Sequence, residues 1–265
     1  MAQISASVVR ALREQTGQGM MECKRALEQS DGDIEAARDL LRKKGLVTAE
    51  KKAGRATSEG LIGININPAR HSGAMVEIRC ETDFCARNQV FRDMVKAVTD
   101  LAAAAPEGKV QATAQMDAAV KGALAKIHEN MGFARGVRID APRVAGYLHH
   151  NGKVGVLLGV DGQVADELLS DLCMHVAFAD PMGINPADIP AKILDKEREI
   201  ALAQAMDSGK PQQIAQKMVE GKIRKFIEAN ALVEQLFVKD DKKKVKQVLG
   251  QARITAFARF AVGVD

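Results

Sequence analysis

The chain has 265 residues, 46% hydrophobic and 27% charged, the balance of a soluble globular protein with length for one large or two modest domains. With 38 Lys and Arg against 34 Asp and Glu the net charge is +4, so a solvated surface of mixed sign is expected ahead of a nucleic-acid surface, and 3% aromatic residues with no Trp leave little for base stacking. The sequence shows no run of 18 apolar residues, no basic-then-apolar leader and only four scattered cysteines, so the expectation is no membrane span, no signal peptide and a reducing cytoplasmic setting.

Residues 1 to about 45 read as three short helices. Val8, Val9 and Leu12 face inward on the first, which ends near Thr16-Gly17. A second starts after Gly19, with Met20, Met21, Ala26 and Leu27 inward. Asp31-Gly32-Asp33 is a turn with Asp33 as N-cap, Ile34, Ala37, Leu40 and Leu41 recur at helical spacing, and Gly45 stands where a C-cap glycine belongs. So thin a core suits a recognition module better than a catalytic scaffold. Thr48 to Ser58, with Lys51, Lys52 and Arg55, reads as a basic linker.

A duplicated pattern follows. Gly60 to Ile64 and Ala74 to Ile78 form a strand pair around a turn at Pro68 to Gly73. A helix then turns Phe91, Met94, Val95, Val98 and Leu101 inward and ends at Ala105-Pro106. Val144 to Leu148 and Val154 to Leu158 repeat the pair around Asn151-Gly152, followed by a helix with Leu168, Leu169, Leu172, Val176 and Ala177 that ends at Asp180-Pro181. Each copy closes with a helix and a strand: Met116 to Asn130 then Arg135 to Ile139, and Val245 to Leu249 then Arg253 to Val262. The expected fold class is α+β: an N-terminal three-helix domain at 1–55, then two related subdomains with antiparallel sheets at 56–142 and 143–265. Ala187 to Glu228 interrupts the second copy with helical composition broken at Ser208-Gly209-Lys210-Pro211. Ile193, Ile200 and Met206 would oppose Ile214, Met218 and Ile223 across an inserted antiparallel hairpin at about 187–228.

Motifs of covalent chemistry are missing: no GxxxxGK[ST], GxGxxG or GxSxG occurs. Cys173-Met174-His175 reads as a core thiol beside a surface or interface imidazole, not as a metal site. His149-His150 adjoins a turn, with one ring expected inward and one solvated. The most informative stretch is Glu77-Ile78-Arg79-Cys80-Glu81-Thr82-Asp83-Phe84-Cys85-Ala86-Arg87, where a strand ends near Cys80 and a helix must begin by about Val90. Thr82 and Asp83 are both N-cap types. Composition favours Phe84 tucked under the helix start as a staple; the other arrangement is an exposed Phe beside a carboxylate, a probe for another protein's pocket.

The stretch at 77–87 resembles a signature of the bacterial elongation factor Ts family, and Leu12-Arg13-x-x-Thr16-Gly17-x-Gly19-Met20-Met21-Glu22-Cys23-Lys24-Arg25-Ala26-Leu27 resembles the other. Gly32-Asp33-Ile34, Leu41-Arg42-x-x-Gly45, Met174-His175-Val176-Ala177, Ser208 to Pro211 and Met218-Val219-Glu220-Gly221-Lys222 follow in the family's order. The resemblance implies a ubiquitin-associated-like N-terminal domain and a guanine-nucleotide exchange factor, not an enzyme and with no cofactor, that binds elongation factor Tu. It implies that Thr82, Asp83, Phe84 and Cys85 dislodge the partner's Mg²⁺, that Arg13, Met20, Met21 and Lys24 dock on the partner, and that Ile127 makes a further contact, with His149 and His150 competing for another. A homodimer or a Tu–Ts heterotetramer is compatible with it, whereas a membrane or a specific nucleic acid is not implied. Arg79, Cys85 and His128 depart from the family's usual Asn, Val and Gly, and many relatives continue past the position of Asp265 into a further helix that touches the partner. The alternative from charge alone is an RNA-binding, ribosome-associated protein.

Overall fold

The computed structural model describes residues 4–52, 54–207 and 212–264, with backbone alone for 45–52. Ser5 opens α1 (Ala6–Thr16), which Gly17 closes with φ +68° and an N–H bond to the Arg13 carbonyl. Then come α2 (Met20–Gln29) and α3 (Ile34–Lys52), whose N-cap is Asp33: its Oδ1 accepts from the Glu35 and Ala36 amides at 2.9 and 3.1 Å. Val9, Leu12, Cys23, Ala26, Leu27, Ala37 and Leu41 make the small core.

Two expectations for this module are corrected. Met20 and Met21 are not inward but 41% and 61% exposed. Gly45 does not end the third helix, which runs on to Lys52 and takes in half of the expected linker. A helical glycine costs about 1 kcal/mol; the Leu, Ala, Glu and Lys around it favour helix strongly enough to carry the turn through.

The first repeat comprises β1 (Glu59–Ile66), β2 (Ser72–Cys80), α4 (Asp83–Arg87), α5 (Gln89–Ala102), β3 (Gly108–Val110), α6 (Ala114–Ile127) and β4 (Met131–Asp140). Its antiparallel sheet has the order β1-β2-β4-β3. Asn88 splits the expected single helix: its side chain accepts from the Val90 amide at 2.9 Å and starts α5 afresh. Phe91, Met94, Val95, Val98 and Ala102 recur on one stripe of α5 and are buried against the sheet.

The second repeat has β5 (Arg143–Leu148), β6 (Val154–Asp161), α7 (Asp166–Ala179), the hairpin α8 (Ala191–Asp207) and α9 (Gln212–Asn230), a two-stranded ribbon β7 (Leu236–Phe237) and β8 (Asp240–Lys244), then α10 (Val245–Leu249) and β9 (Arg253–Ala261). Its sheet runs β5-β6-β9, matching β1-β2-β4 of the first repeat. Alternate β2 residues face opposite layers: Val76 and Ile78 pack under α5 and α6, while Met75 joins Ile62, Ile139, Val144 and Leu157 between the two sheets. The sheets approach so closely that a Cβ on Gly155 would lie 2.5 Å from Ile62. The result is a helix–sheet–sheet–helix stack.

Within the hairpin, the seam differs from expectation. Ala201, Ala205, Ala215 and Ile223 are the buried positions, whereas Ile200, Met206 and Ile214 are exposed. Small side chains let the two helices approach and leave the larger ones outside. Its root is fixed where Met182 donates to the Asn230 carbonyl and Leu232 to that of Gly183, both at 2.9 Å. The expected break at Ser208 to Pro211 lies outside the described residues.

His175 is a further correction, because it is buried rather than at the surface. The Val238 amide donates to its Nδ1 at 3.2 Å, so the proton sits on Nε2, which donates to the Gln235 Oε1 at 3.0 Å. Burial lowers its pKa, against a smaller raising effect of the Gln235 bond. A neutral imidazole favours the folded state above the unfolded value of about 6.5. Between that value and the lowered native one the unfolded chain binds the extra proton, so stability falls as pH falls, by at most about 1.4 kcal/mol per pH unit. Urea titrations from pH 7.5 to 5.5 should show that loss in the native protein and not in His175→Leu. Equal slopes in the two proteins would contradict the assignment.

Candidate partner-binding edge

The corner between β2 and α4 is built from the inside. Thr82, not Asp83, is the N-cap: its Oγ1 accepts from the Cys85 amide at 3.1 Å. The Thr82 hydroxyl also donates to the Glu129 carboxylate, 3.0 Å from each oxygen, and the Thr82 amide donates to Glu129 Oε2 at 3.2 Å. Asp83 at the first helical position pairs with Arg87 at 3.0 Å. With Thr82 turned inward, Phe84 is thrown outward and is 79% exposed. It is therefore not tucked under the helix start. Exposure alone is no signature, since Phe178 at the end of α7 is 81% exposed. What singles out Phe84 is that a fixed corner holds it, beside a carboxylate.

Cys85 does not belong to the outward set. It is buried beneath the corner, where its thiol is hydrogen-bonded with that of Cys80. That bond and burial push the Cys80 thiol far above the ordinary range, and burial pushes Cys173 up to about 12, so both stay protonated and poor nucleophiles. Cys80 also donates to the Thr82 carbonyl at 3.2 Å. The cysteines thus anchor the corner.

A second clamp runs the other way. The Asn130 amide donates to Glu81 Oε1 at 2.5 Å, Arg55 pairs with Glu81 at 3.3 Å, and the Asn130 side chain donates to the Arg55 carbonyl at 2.7 Å. Ile127, half-buried at the end of α6, sits two residues before Glu129. His128 between them has φ +62°, a left-handed conformation that disfavours a side chain by roughly 1–2 kcal/mol and explains why glycine suits the position.

The N-terminal module reaches the same edge. Gln18 is buried and its Nε2 donates to the Ala125 carbonyl of α6 at 2.8 Å, while Gly17 lies against the Lys126 stem. Arg13, Met20, Met21 and Lys24 are exposed, with Lys24 3.8 Å from Glu28. His149 is half-buried with Nδ1 2.8 Å from the Tyr147 hydroxyl, and His150 is exposed. Their turn joins the edge strand through the Gly152 carbonyl, which accepts from Ile62 N at 2.8 Å. Hydrogen bonds therefore link the N-terminal module, the α6 end and the Phe84 corner directly; the histidine turn attaches separately through β1. Sequence reading missed Glu129 and Gln18. Their signals were slight: Glu129 stands two places after Ile127, and Gln18 lies between two glycines.

Among the described residues no cluster of three or more His, Cys, Asp or Glu is placed to hold a metal ion, and no helix is long and apolar enough to cross a membrane. The sequence model of the family described as Elongation factor TS matches residues 81–264. Similar curated proteins include the Elongation factor Ts of Pasteurella multocida, 46% identical over 99% of this chain and 93% of that protein. That of Aquifex aeolicus is 39% identical over 98% of both chains, and that of Nitratiruptor sp. is 40% identical over 98% and 93%.

Proposed function

The chain belongs to the elongation factor Ts family, whose members serve translation elongation as nucleotide exchange factors, and we propose that it releases GDP from elongation factor Tu by pressing the Asp83–Phe84 corner in beside the partner's Mg²⁺ site. The observation that carries the mechanism is the exposed Phe84 on a corner that Thr82 and Glu129 hold in place. In this reading residues 1–55 dock through Arg13, Met20, Met21 and Lys24, the 56–142 subdomain carries the probe and Ile127, and the 143–265 subdomain braces the complex through the His149-His150 turn.

Exchange is linkage. The factor and GDP weaken each other's binding to Tu by the same factor. Each tenfold loss of nucleotide affinity needs about 1.4 kcal/mol of differential interaction, and burying one Phe supplies roughly 1.5–3 kcal/mol. Phe84 alone therefore accounts for about one or two powers of ten; loss of the ion that holds the phosphates supplies the remainder.

The RNA-binding alternative finds less support. Lysines of the basic run 239–246 face carboxylates: Lys239 pairs with Asp171, Lys243 with Asp240, Lys244 with Glu228 and Glu234, and Lys246 with Glu234. The Lys244 pKa is raised by its bond to Glu234 and then by that to Glu228, as expected of a satisfied ion-pair network. The direct test mixes the protein with elongation factor Tu carrying a fluorescent GDP. Release should accelerate with factor concentration and be insensitive to added RNA. Release no faster than spontaneous, with the two proteins shown to be bound, would overturn the exchange reading.

A further inference from the structure

We infer that Glu129 and Glu81 form a reciprocal clasp that positions the Phe84 probe, and that Glu129 is the positioning residue for exchange. The inference rests on the exchange reading above. Glu129 leaves the α6–β4 turn and binds the amide and hydroxyl of Thr82 in the β2–α4 corner, at 3.0 to 3.2 Å. Glu81 leaves the corner and binds the Asn130 amide in that turn at 2.5 Å. Each loop thus lends a carboxylate to the backbone of the other. Two charge-assisted contacts in opposite directions fix both separation and twist, which one contact could not.

Local bonds alone would not set the aim of Phe84. α4 is only five residues long and Asn88 separates it from α5, so the corner has little helix behind it. Half-buried Glu129 reaches the corner through the amide and hydroxyl of Thr82. The same turn carries half-buried Ile127, and the preceding carbonyl of Ala125 receives Gln18 from the N-terminal module. The clasp therefore also sets the spacing between the probe and the docking contacts. A short, mobile probe would have to be ordered on binding, at the expense of the differential interaction that expels nucleotide.

The test is a double-mutant cycle between Glu129→Ala and Phe84→Ala, reading GDP release from elongation factor Tu at saturating factor, with a melt of every variant. Glu129→Ala should slow release about tenfold, within the range of single coupling terms between sites. In the Phe84→Ala background the same change should slow release clearly less, the remainder acting through Asp83 on the same corner, while lowering melting temperature as much as in the parent. A merely structural Glu129 would give the same fold-loss in both backgrounds, and that result overturns the clasp. Glu129→Gln, which keeps one acceptor oxygen and the side-chain shape, should fall between Ala and native; it replaces Ala in the cycle if the alanine variant does not fold. If Phe84→Ala itself releases GDP as fast as the native protein, the exchange reading has failed. If Phe84→Ala is slow but Glu129 adds to it independently, only the clasp has failed.

Discussion

Glu77→Ala is expected to be among the most destabilising single substitutions in the chain, lowering the unfolding free energy by about 3–5 kcal/mol. Glu77 is fully buried in β2, on the face turned toward the second sheet. Arg79 and Arg135 each reach one of its oxygens at 2.6 Å, and the Gly263 amide donates to Oε1 at 3.0 Å. Arg135 lies 4.5 Å over the Phe260 ring and also donates to the carbonyls of Ala261 and Val264. Removing the carboxylate takes from two partly buried guanidinium groups the buried anion they share, and takes from the 261–264 strap its bond at Gly263. The strap is closely fitted at Gly263, where φ is +78° and a Cβ would lie 2.9 Å from the Ser58 carbonyl oxygen. The measurement is denaturant unfolding beside amide exchange: the midpoint should fall, the melting temperature should drop by on the order of 10 °C, and Gly263 should lose protection first. Glu77→Gln should retain part of the stability by accepting one bond. A loss below about 1 kcal/mol in Glu77→Ala would show that the arginines find water or other anions at no cost.

Glu77 also shows where local reading stops. In Ala74-Met75-Val76-Glu77-Ile78 it looks like the solvated polar member of a strand, because, Arg79 apart, its partners Arg135 and Gly263 lie 58 and 186 residues away. Helices were legible where burial follows a period of 3.6, as in α5, strands where a short apolar run lies between turn residues, as in β6, and caps where the chemistry is local, as at Asp33. Met20 and Met21 misled because apolar residues at helical spacing read as core, whereas both lie on the exposed side of α2. His175 misled because its partners Gln235 and Val238 come from the far side of the inserted hairpin. The same limit divided the candidate site. Asp83 and Phe84 were readable as a corner, yet whether Phe84 was staple or probe turned on Glu129, 47 residues from Thr82. Arg79, a departure from the family's usual Asn, becomes intelligible only once Glu77 is seen to need a second cation.

Phe84→Ala should leave folding almost untouched and slow exchange by about 10- to 100-fold, the affinity equivalent of burying one Phe in the partner. A core Phe would instead cost about 3–5 kcal/mol of stability; with 79% of its surface exposed, this one has little to lose in the free protein. Asp83→Ala is now a cleaner companion than sequence alone suggests. Thr82 is the cap, so Asp83 gives up only its exposed i,i+4 pair with Arg87, about 0.3–0.5 kcal/mol. Both variants should still bind elongation factor Tu through Arg13, Met20, Met21, Lys24 and Ile127, and both should release GDP slowly in stopped flow with Mg²⁺ present. On the proposed mechanism, chelating the ion should shrink the defect, because the step assigned to Asp83 and Phe84 has then already occurred. A defect of the same size with and without chelator would separate Phe84 from the Mg²⁺ site and leave it as an ordinary contact. A large fall in melting temperature with normal exchange per folded molecule would return it to the role of a staple beneath α4.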